Sequence, residues 1–301
     1  MANRPDPKQA NLLYHDAAAR SYDDKWAISF DRRSIRYVRE RAERMLPGRR
    51  YGRVLEVGCG TGFFILNLWQ AGFADRPHGC DLSPGMLAAC AENARRIGCD
   101  IGLETGDAEA LPFPDGSFDL VVGHAFLHHL PQPAAALREA HRVLVPGGAV
   151  LFAGEPTRVG DRLAKATGRV THRAIRAAAR AVPALRSPAP PKPATERERI
   201  LRDLEWDVDL HTFVPEEVAA LAREVGFGSV RVETEELLAS FLGWAVRTLE
   251  YEAPPGLLGW GWARFAYRAW LALYAVDARI LYPVLPKGLF YNLLLYGEKR
   301  G

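Results

Sequence analysis

Cysteine, lysine and long apolar runs are scarce in this sequence of 301 residues. The four cysteines show neither C-x-x-C spacing nor the histidine partners of a zinc site, so we expect reduced, structural thiols and no bound metal. No stretch reaches about eighteen uncharged apolar residues and the N-terminus lacks an apolar signal core. These absences argue against a spanning helix and predict a cytoplasmic protein, with peripheral membrane association as an alternative. Because arginine outnumbers lysine 33 to 6, arginine abundance alone is no sign of function.

An apolar strand runs into a glycine-rich turn at Val54–Gly62, which reads VLEVGCGTG. Glycines at positions 58, 60 and 62 let the backbone approach a ligand closely, and the helix that follows presents free N–H groups. A dinucleotide-binding G-x-G-x-x-G pattern would need a small residue where Phe63 stands, so a pyrophosphate ligand is disfavoured. Glu56 would place a carboxylate beside the ligand, which suits an ammonium group better than a phosphate. The turn therefore predicts a cationic ligand with a nucleoside end, such as S-adenosylmethionine.

Further motifs follow this turn in a fixed order. They are His78-Gly79-Cys80-Asp81 at a strand end, the loop Gly106–Phe113, the strand Ser117–Val122, the run Phe126–Leu130, a helix over Leu137–Leu144, the turn Pro146-Gly147-Gly148 and a fifth strand over Ala149–Ala153. Together with the glycine turn, this order resembles the class I S-adenosylmethionine-dependent methyltransferases, in the subfamily that acts mostly on small molecules and lipids. The resemblance covers residues 54–156 and resumes at 212–235. It implies an α/β fold: a Rossmann-like, doubly wound, mostly parallel seven-stranded sheet with an antiparallel last strand, plus helical inserts.

The resemblance also implies which residues hold S-adenosylmethionine. Asp81 would bind both ribose hydroxyls and Asp107 would accept a hydrogen bond from the adenine amino group. Tyr22 would lie in a leading helix that folds over the cofactor and would reach the methionine carboxylate or the acceptor; a helix packed for stability alone is the alternative. The predicted cofactor-binding residues are Tyr22, Glu56, Gly58, Cys59, Gly60, Gly62, Asp81, Leu82, Met86, Asp107, Ala108 and His124.

Several titratable side chains follow the strands at the edge where the active site of such a sheet opens. The candidates for a catalytic base are His128, His124, Glu155 and His211. Of the neighbouring pair His128 and His129, we expect one to be structural and favour His128 as the one toward the pocket. A packed or hydrogen-bonded side chain remains the alternative for each candidate.

The nature of the acceptor is narrowed by two absences after the fourth strand. Residues 123–126 read Gly-His-Ala-Phe, without the Asn/Asp-Pro-Pro-aromatic signature of enzymes that methylate nucleobase or amide nitrogens, and no Pro-Cys pair is present for attack on a pyrimidine. We therefore expect an oxygen, carbon or nitrogen acceptor on a small molecule or lipid, and no nucleic-acid partner. Two alternatives stay open: an RNA methyltransferase that uses the basic insert described below, and a non-catalytic S-adenosylmethionine-binding protein.

With 48% apolar residues the chain can bury a full core, and we expect one large domain with inserts. The predicted parts are an N-terminal helical cap (1–45), a cofactor-binding core (46–156), a basic helical insert with a Pro-rich linker (157–206), a core continuation (207–235), an aromatic helical insert or lid (236–288) and a last core strand (289–301). The oligomeric state is left open.

The basic insert carries twelve Arg or Lys and three acidic residues between Arg158 and Arg202, a net charge of +9. Its cations recur every three or four residues from Arg158 to Arg180, so a helix would carry them on one face. Gly160 and Gly168 weaken that helix and suggest two short ones. The face is either simply solvated or binds an anionic membrane surface, an anionic headgroup or nucleic acid. Ser187–Pro193 is predicted to be an exposed linker or flap.

The segment between the sixth and seventh predicted strands is dense in aromatic residues. They are Phe241, Trp244, Tyr251, Trp260, Trp262, Phe265, Tyr267, Trp270, Tyr274 and Tyr282. One interpretation is a helical lid whose aromatics line an acceptor pocket. The other is an interfacial helix pair that dips into a membrane to reach a lipid.

Overall fold

The computed structural model describes residues 6–46, 50–182, 195–205, 208–254 and 257–300. Within these residues the strands are β1 (Tyr51–Val57), β2 (Ala74–Asp81), β3 (Gly102–Thr105), β4 (Phe118–His124), β5 (Leu144–Pro156), β6 (Phe227–Glu235) and β7 (Asn292–Lys299). The helices are α1 (Pro7–Ala18), α2 (Tyr22–Trp26), α3 (Arg32–Met45), α4 (Phe63–Gln70), α5 (Pro84–Ile97), α6 (Pro133–Val143), α7 (Arg158–Ala181), α8 (Glu196–Leu204), α9 (Pro215–Val225), α10 (Leu238–Glu252) and α11 (Trp260–Val276).

All seven strands form one sheet in the order β3-β2-β1-β4-β5-β7-β6. Strands β1 to β5 pair in parallel, and β7 inserts antiparallel between β5 and β6. The predicted Rossmann-like fold with an antiparallel last strand is thus confirmed. The chain turns to opposite sides of β1 to form β2 and β4, so the gap between β1 and β4 is the switch point at which such sheets bind ligands.

Helices cover both faces of the sheet, because successive side chains of a strand point to opposite faces. On one face Val54 of β1 packs in a core cluster with Phe64 of α4. On the other face Leu55 of β1 packs with Leu137 of α6. Burial on both sides explains why the central strands are almost continuously apolar, as in Leu120–Val122.

The basic insert begins with one continuous helix of 24 residues, α7, and the suggestion of two short helices is wrong. Of the two glycines that suggested a break, Gly160 is a site of close approach, because a Cβ there would lie 2.6 Å from the Cα of Tyr291. A Cβ at Gly168 would lie 3.5 Å from Thr248 Oγ1 on α10, which is an ordinary contact distance. The helix therefore needs glycine at position 160, where it meets the chain before β7. The predicted linker Ser187–Pro193 lies outside the described residues.

The aromatic insert consists of α10 and α11, which pack against each other, and α10 also packs against α7. Asp277 follows α11 directly, is 2% exposed, and accepts the backbone N–H groups of Leu237, Leu238 and Ala239 at 2.9 Å each. The end of α11 thereby caps the start of α10. Among the residues that the structure describes, no helix combines the length and apolar character needed to cross a membrane.

Candidate active site

A cavity of about 1650 Å³ opens at the carboxyl ends of β1, β2, β4 and β5. Helices α1 to α3 border it on one side, and α10 and α11 border it on another. It is larger than the roughly 300–1,000 Å³ of most small-molecule sites, so it has room for two ligands side by side. Most of the predicted site residues meet there.

The glycine turn forms part of the cavity wall, and its three glycines all have positive φ: +64° at Gly58, +50° at Gly60 and +89° at Gly62. A Cβ at Gly58 would lie 2.7 Å from the Cβ of Phe126, and one at Gly62 would lie 2.7 Å from Cys90 Sγ. A Cβ at Gly60 would have no atom within 4 Å. Gly60 therefore faces open space where a ligand can approach the backbone, whereas Gly62 lies behind the cavity wall.

Two carboxylates flank this turn, Glu56 buried and Asp81 half-buried. Glu56 is 2% exposed and accepts the N–H of Ile65 at 2.9 Å, and burial raises its pKa well above the usual value. Asp81 accepts the N–H groups of Gly60 at 2.8 Å and Ser83 at 2.9 Å. Burial raises the pKa of Asp81 as well, although these hydrogen bonds oppose the shift. Both carboxylates line the cavity, and a cation beside them would favour their ionised forms.

Asp107, which is predicted to bind the adenine amino group, also lines the cavity. Its carboxylate already forms an ion pair. Its Oδ2 lies 2.6 Å from Lys8 Nζ of α1, which also reaches Glu109 Oε2 at 2.6 Å. Other residues that were predicted to bind the cofactor also line the cavity. They are Tyr22, Leu82, Met86, Ala108 and His124, together with Cys59 of the glycine turn.

The first two helices fold over the cofactor side of the cavity. Asp16 of α1 accepts a hydrogen bond from the Ser83 hydroxyl at 3.0 Å and from the Gly85 N–H at 2.7 Å. Tyr22 opens α2, and burial raises the pKa of its hydroxyl, which keeps it a neutral donor. These contacts attach α1 to the start of α5, next to Asp81.

His128 lines another part of the cavity and is oriented by Glu155. His128 lies in the 3-10 turn after β4, and its Nδ1 is 2.7 Å from Glu155 Oε2. The same carboxylate accepts the backbone N–H groups of Phe126, Leu127 and His128. Because Glu155 is fully buried and does not line the cavity, it orients His128 and is not itself exposed to a ligand. His128 does line the cavity, and its Nε2 is not bonded to Glu155.

The charge state of His128 follows from these neighbours. Burial lowers its pKa, but Glu155, by its charge and its hydrogen bond, more than offsets that effect, and Asp209 adds to it. The net result is a pKa above the ordinary value of His. His129 differs, because burial, His128 and His15 lower its pKa and its Nδ1 is held by the carbonyl of Val208 at 2.9 Å.

The other two candidate bases also line the cavity. His124 stacks on Phe64 at 5.4 Å between ring centroids, and burial, then the Arg41 charge, lowers its pKa to about 4. His211 donates its backbone N–H to the carbonyl of His128 at 3.1 Å. Neither ring's Nε2 has a hydrogen-bond partner among the described residues.

Sequence reasoning missed two polar residues of this cavity, Asp209 and Glu236. Asp209 Oδ1 lies 3.7 Å from His128 Nε2 and 3.3 Å from His129 Nδ1, and within the described ranges these three side chains are the group whose ligand atoms could converge on a metal. Both Nδ1 atoms already have acceptors. No local motif marks either residue, because each acquires its neighbours only through tertiary packing.

Comparison with known proteins identifies the core. Residues 55–152 match a family model described as a methyltransferase domain. The chain is 34% identical over 152 residues to aklanonic acid methyltransferase of Streptomyces sp. (strain C5), covering 46% of this chain and 69% of that protein. It is 38% identical over 148 residues to malonyl-[acyl-carrier protein] O-methyltransferase of Erwinia pyrifoliae, covering 48% of this chain and 51% of that one. The matched region thus spans about half the length of this last relative.

The fold has counterparts among solved structures. Phosphoethanolamine N-methyltransferase 2 of Haemonchus contortus, in complex with S-adenosyl-L-methionine, matches with a TM-score of 0.53 at 15% identity. The match covers 88% of this chain and 53% of that one. At this identity the likeness speaks for the fold alone.

Substitution of the turn glycines separates packing from ligand approach. We expect Gly58→Ala to lower the free energy of unfolding by roughly 2–4 kcal/mol, because the new Cβ adds a clash with Phe126 to the cost of a positive φ. Gly60→Ala, with the same backbone cost and no clash, should lose only about 1 kcal/mol. Denaturant unfolding of both variants measures the difference, and equal losses would contradict the assigned contacts.

Proposed function

Because the chain belongs to the class I S-adenosylmethionine-dependent methyltransferases, we propose that it transfers a methyl group from S-adenosylmethionine to an oxygen, carbon or nitrogen atom of a small-molecule or lipid acceptor. One observation carries the proposal: the glycine turn with Glu56 and Asp81 lies in the same cavity as the oriented imidazole of His128. The test is incubation of the protein with methyl-labelled cofactor and extracts of lipids and small molecules, followed by mass spectrometry. A labelled product is expected, and its absence together with a failure to bind the cofactor would refute the proposal.

The residues at the strand ends fit this cofactor. The open backbone at Gly60 leaves room for it, Glu56 offers a carboxylate to its ammonium group, and Asp81 retains oxygen lone pairs for the ribose hydroxyls. Asp107 would accept from the adenine amino group after sharing or releasing Lys8. When bound, the sulfonium supplies the methyl group, and these carboxylates favour its positive charge.

The chain's own part in the reaction is placement and proton removal. A cavity that holds donor and acceptor in contact supplies about 7–11 kcal/mol through proximity. An acceptor hydroxyl, or a carbon that must be deprotonated, also has to lose a proton, and His128 Nε2 would receive it. Glu155 is then a positioning residue that fixes the ring and stabilises the imidazolium. His124 and His211 remain candidates whose Nε2 atoms have no hydrogen-bond partner in the described part of the chain, and the pKa of about 4 makes His124 the weaker base.

We also propose that the protein meets its acceptor at an anionic membrane surface. Helix α11 borders the cavity through Trp270 and Tyr274, and it also carries two exposed aromatic side chains, Trp260 (89%) and Phe265 (59%). Arg264 and Arg268 of the same helix are exposed as well. Aromatic rings with adjacent arginines suit the headgroup region of a bilayer. A lipid acceptor would reach the cavity along such a helix.

Cofactor binding should release protons. Burial raises the pKa of Glu56, so part of the population is protonated there, and the cofactor ammonium favours the ionised form. Affinity should therefore rise with pH until the Glu56 pKa is passed. Calorimetry in two buffers of different ionisation enthalpy measures the protons released.

The test variant is Glu56→Gln, which keeps an oxygen acceptor for the Ile65 N–H. The control variant is Glu104→Gln on β3. The first should bind S-adenosylmethionine about tenfold more weakly or worse, since a charge-assisted hydrogen bond contributes about 1.5–3 kcal/mol. It should also release fewer protons than the wild type. An unchanged proton count in Glu56→Gln would exclude this carboxylate from the cofactor site.

Removal of the proposed base should change both rate and pH profile. Once the acceptor is identified, kcat/KM of the wild type should decrease as the pH is lowered below the raised pKa of His128, because the base must be neutral. His128→Gln should lose about 10²–10⁴-fold and this acid limb. Glu155→Gln should lower the plateau and move the limb to lower pH, since the charge that raises the His128 pKa is gone. A purely structural Glu155 would change stability and leave the limb where it is.

The membrane contact is tested by sedimentation with vesicles. We expect the protein to pellet with phosphatidylcholine vesicles that contain phosphatidylglycerol at low salt, and less at high salt because screening weakens the attraction. Trp260→Ser with Phe265→Ser should remove binding at any salt, whereas Arg264→Gln with Arg268→Gln should remove its dependence on anionic lipid. Failure to pellet at low salt, or a gel shift with RNA that these arginines control, would contradict the proposal.

A further inference from the structure

The cavity contains a second polar region, at the junction of β6 and α10, that methyl transfer as described above does not use. Glu236 is 9% exposed there and lines the cavity. Its carboxylate is 3.4 Å from the Arg41 guanidinium and hydrogen-bonds the side chain of Asn292. Asn292 lines the cavity too. A buried carboxylate at a ligand cavity needs either full compensation within the protein or a ligand.

The protein does not fully compensate Glu236. Arg41 is committed to Glu235, whose Oε1 lies 2.6 Å from the guanidinium. Arg44 and the Tyr274 hydroxyl complete the partners of Glu235, at 2.7 and 3.0 Å. Burial, followed by the Glu235 charge, raises the pKa of Glu236 to about 7. Arg41 therefore binds Glu235 closely, and its contact with Glu236 is longer and weaker.

The backbone at Glu236 gives a second, independent observation. Its φ is +68°, in the left-handed region, where glycine is adopted without steric cost and a glutamate is strained. The backbone contact at this junction, the Tyr291 N–H donated to the Glu236 carbonyl at 2.8 Å, would be equally available to glycine. The backbone conformation and hydrogen bond of this turn therefore do not require a glutamate side chain. A strained residue at a cavity wall is typical of a functional position.

One further polar group, the Ser240 hydroxyl, lies near the start of α10. Ser240 lies one helical turn after Glu236, is 6% exposed, and its Oγ has no hydrogen-bond partner among the described residues. Trp244 follows one turn later, and both residues line the cavity. Trp270 of α11 adds a second aromatic wall. A carboxylate and a hydroxyl thus line the same cavity as the two tryptophans, together with Arg41 and Asn292.

We propose that Glu236, supported by Ser240, is a specificity-determining residue that binds a hydroxyl or amino group attached to an aromatic or otherwise apolar body of the acceptor. The inference rests on the proposed function and names the class of its substrate. A neutral hydroxyl or a cationic amine would donate to the carboxylate and complete its hydrogen bonds. A carboxylate or phosphate headgroup would be repelled at this end of the cavity.

The probes are 4-ethylphenol, tyramine and 4-ethylanisole, which share a ring and carry, respectively, a hydroxyl donor, a hydroxyl and an ammonium donor, and no donor. Ligand-observed NMR titrations, with and without S-adenosylmethionine, measure their affinities. We expect the wild type to bind the phenol and the amine at least tenfold more tightly than the ether. Glu236→Gln should lose most of the preference for tyramine, and Glu236→Gly should lose the preference for both donors.

Folding controls keep the test decisive. Glu236→Gly should melt at the same temperature as the wild type or higher, because it removes a strained backbone and a buried charge. Glu233→Gln is the matched control, since Glu233 lies on β6 three residues before Glu236, pairs with Arg44 and does not line the cavity. It should keep the wild-type preference.

The inference is overturned if the wild type binds the ether as tightly as the phenol, or if Glu236→Gly keeps the donor preference. Cofactor affinity is a separate readout that should be unchanged in the Glu236 variants. A wild type that discriminates the probes but binds no S-adenosylmethionine would refute the proposed function and leave this subsite in place. Once the acceptor is known, Glu236→Gln should raise its KM more than it lowers kcat.

Discussion

The part of the cavity that we propose for the acceptor depends on the hydrogen bonds that converge on Glu155. Three backbone N–H groups and the His128 imidazole donate to a carboxylate with no exposure to solvent. An ion so deeply buried is tolerated only while those donors stay in place, so the segment after β4 cannot move without a large cost. The carbonyl of His128 in turn accepts the N–H groups of Leu210 and His211. Asp209 is held at the cavity by the same attachment.

A second set of buried charges joins the aromatic insert to the core. Glu235, at the end of β6, binds Arg41 and Arg44 of α3, and the Tyr274 hydroxyl of α11 completes the group. Asp277 then ties the end of α11 to the start of α10. Buried ion pairs add little net stability, but they demand one geometry. The wall formed by α10 and α11 is therefore positioned by the core, and the proposed specificity of Glu236 is a consequence of that fixed position.

Local signals were enough to predict the core of this protein. The glycine turn follows from an apolar run that ends at glycine, and the resemblance to the methyltransferase family pointed to Asp81 at the end of β2 and to Asp107 in the loop after β3. The length of α7 was mispredicted because its glycines were interpreted by helix propensity, whereas the role of Gly160 depends on the neighbours that α7 crosses. Glu155 was selected from its place after a strand, but its orienting contacts depend on a loop register that no motif states. No local sequence pattern predicts that Asp209 and Glu236 line the cavity.

The charges around the cavity suit the way in which charge would move in the proposed reaction. Glu56 and Asp81 lie at the end that would hold a cationic methyl donor, and Glu155 lies behind the base. On methyl transfer the sulfonium charge would be lost, while His128 would gain the proton of the acceptor and become a cation. The total charge of the cavity would stay the same, and the positive charge would pass from the cofactor end to the end next to Glu155. Glu56 and Asp81 would keep their ammonium and ribose contacts to the spent cofactor, and only the longer-range attraction to the sulfonium would be lost. This difference in charge would favour binding of the donor over binding of the spent cofactor.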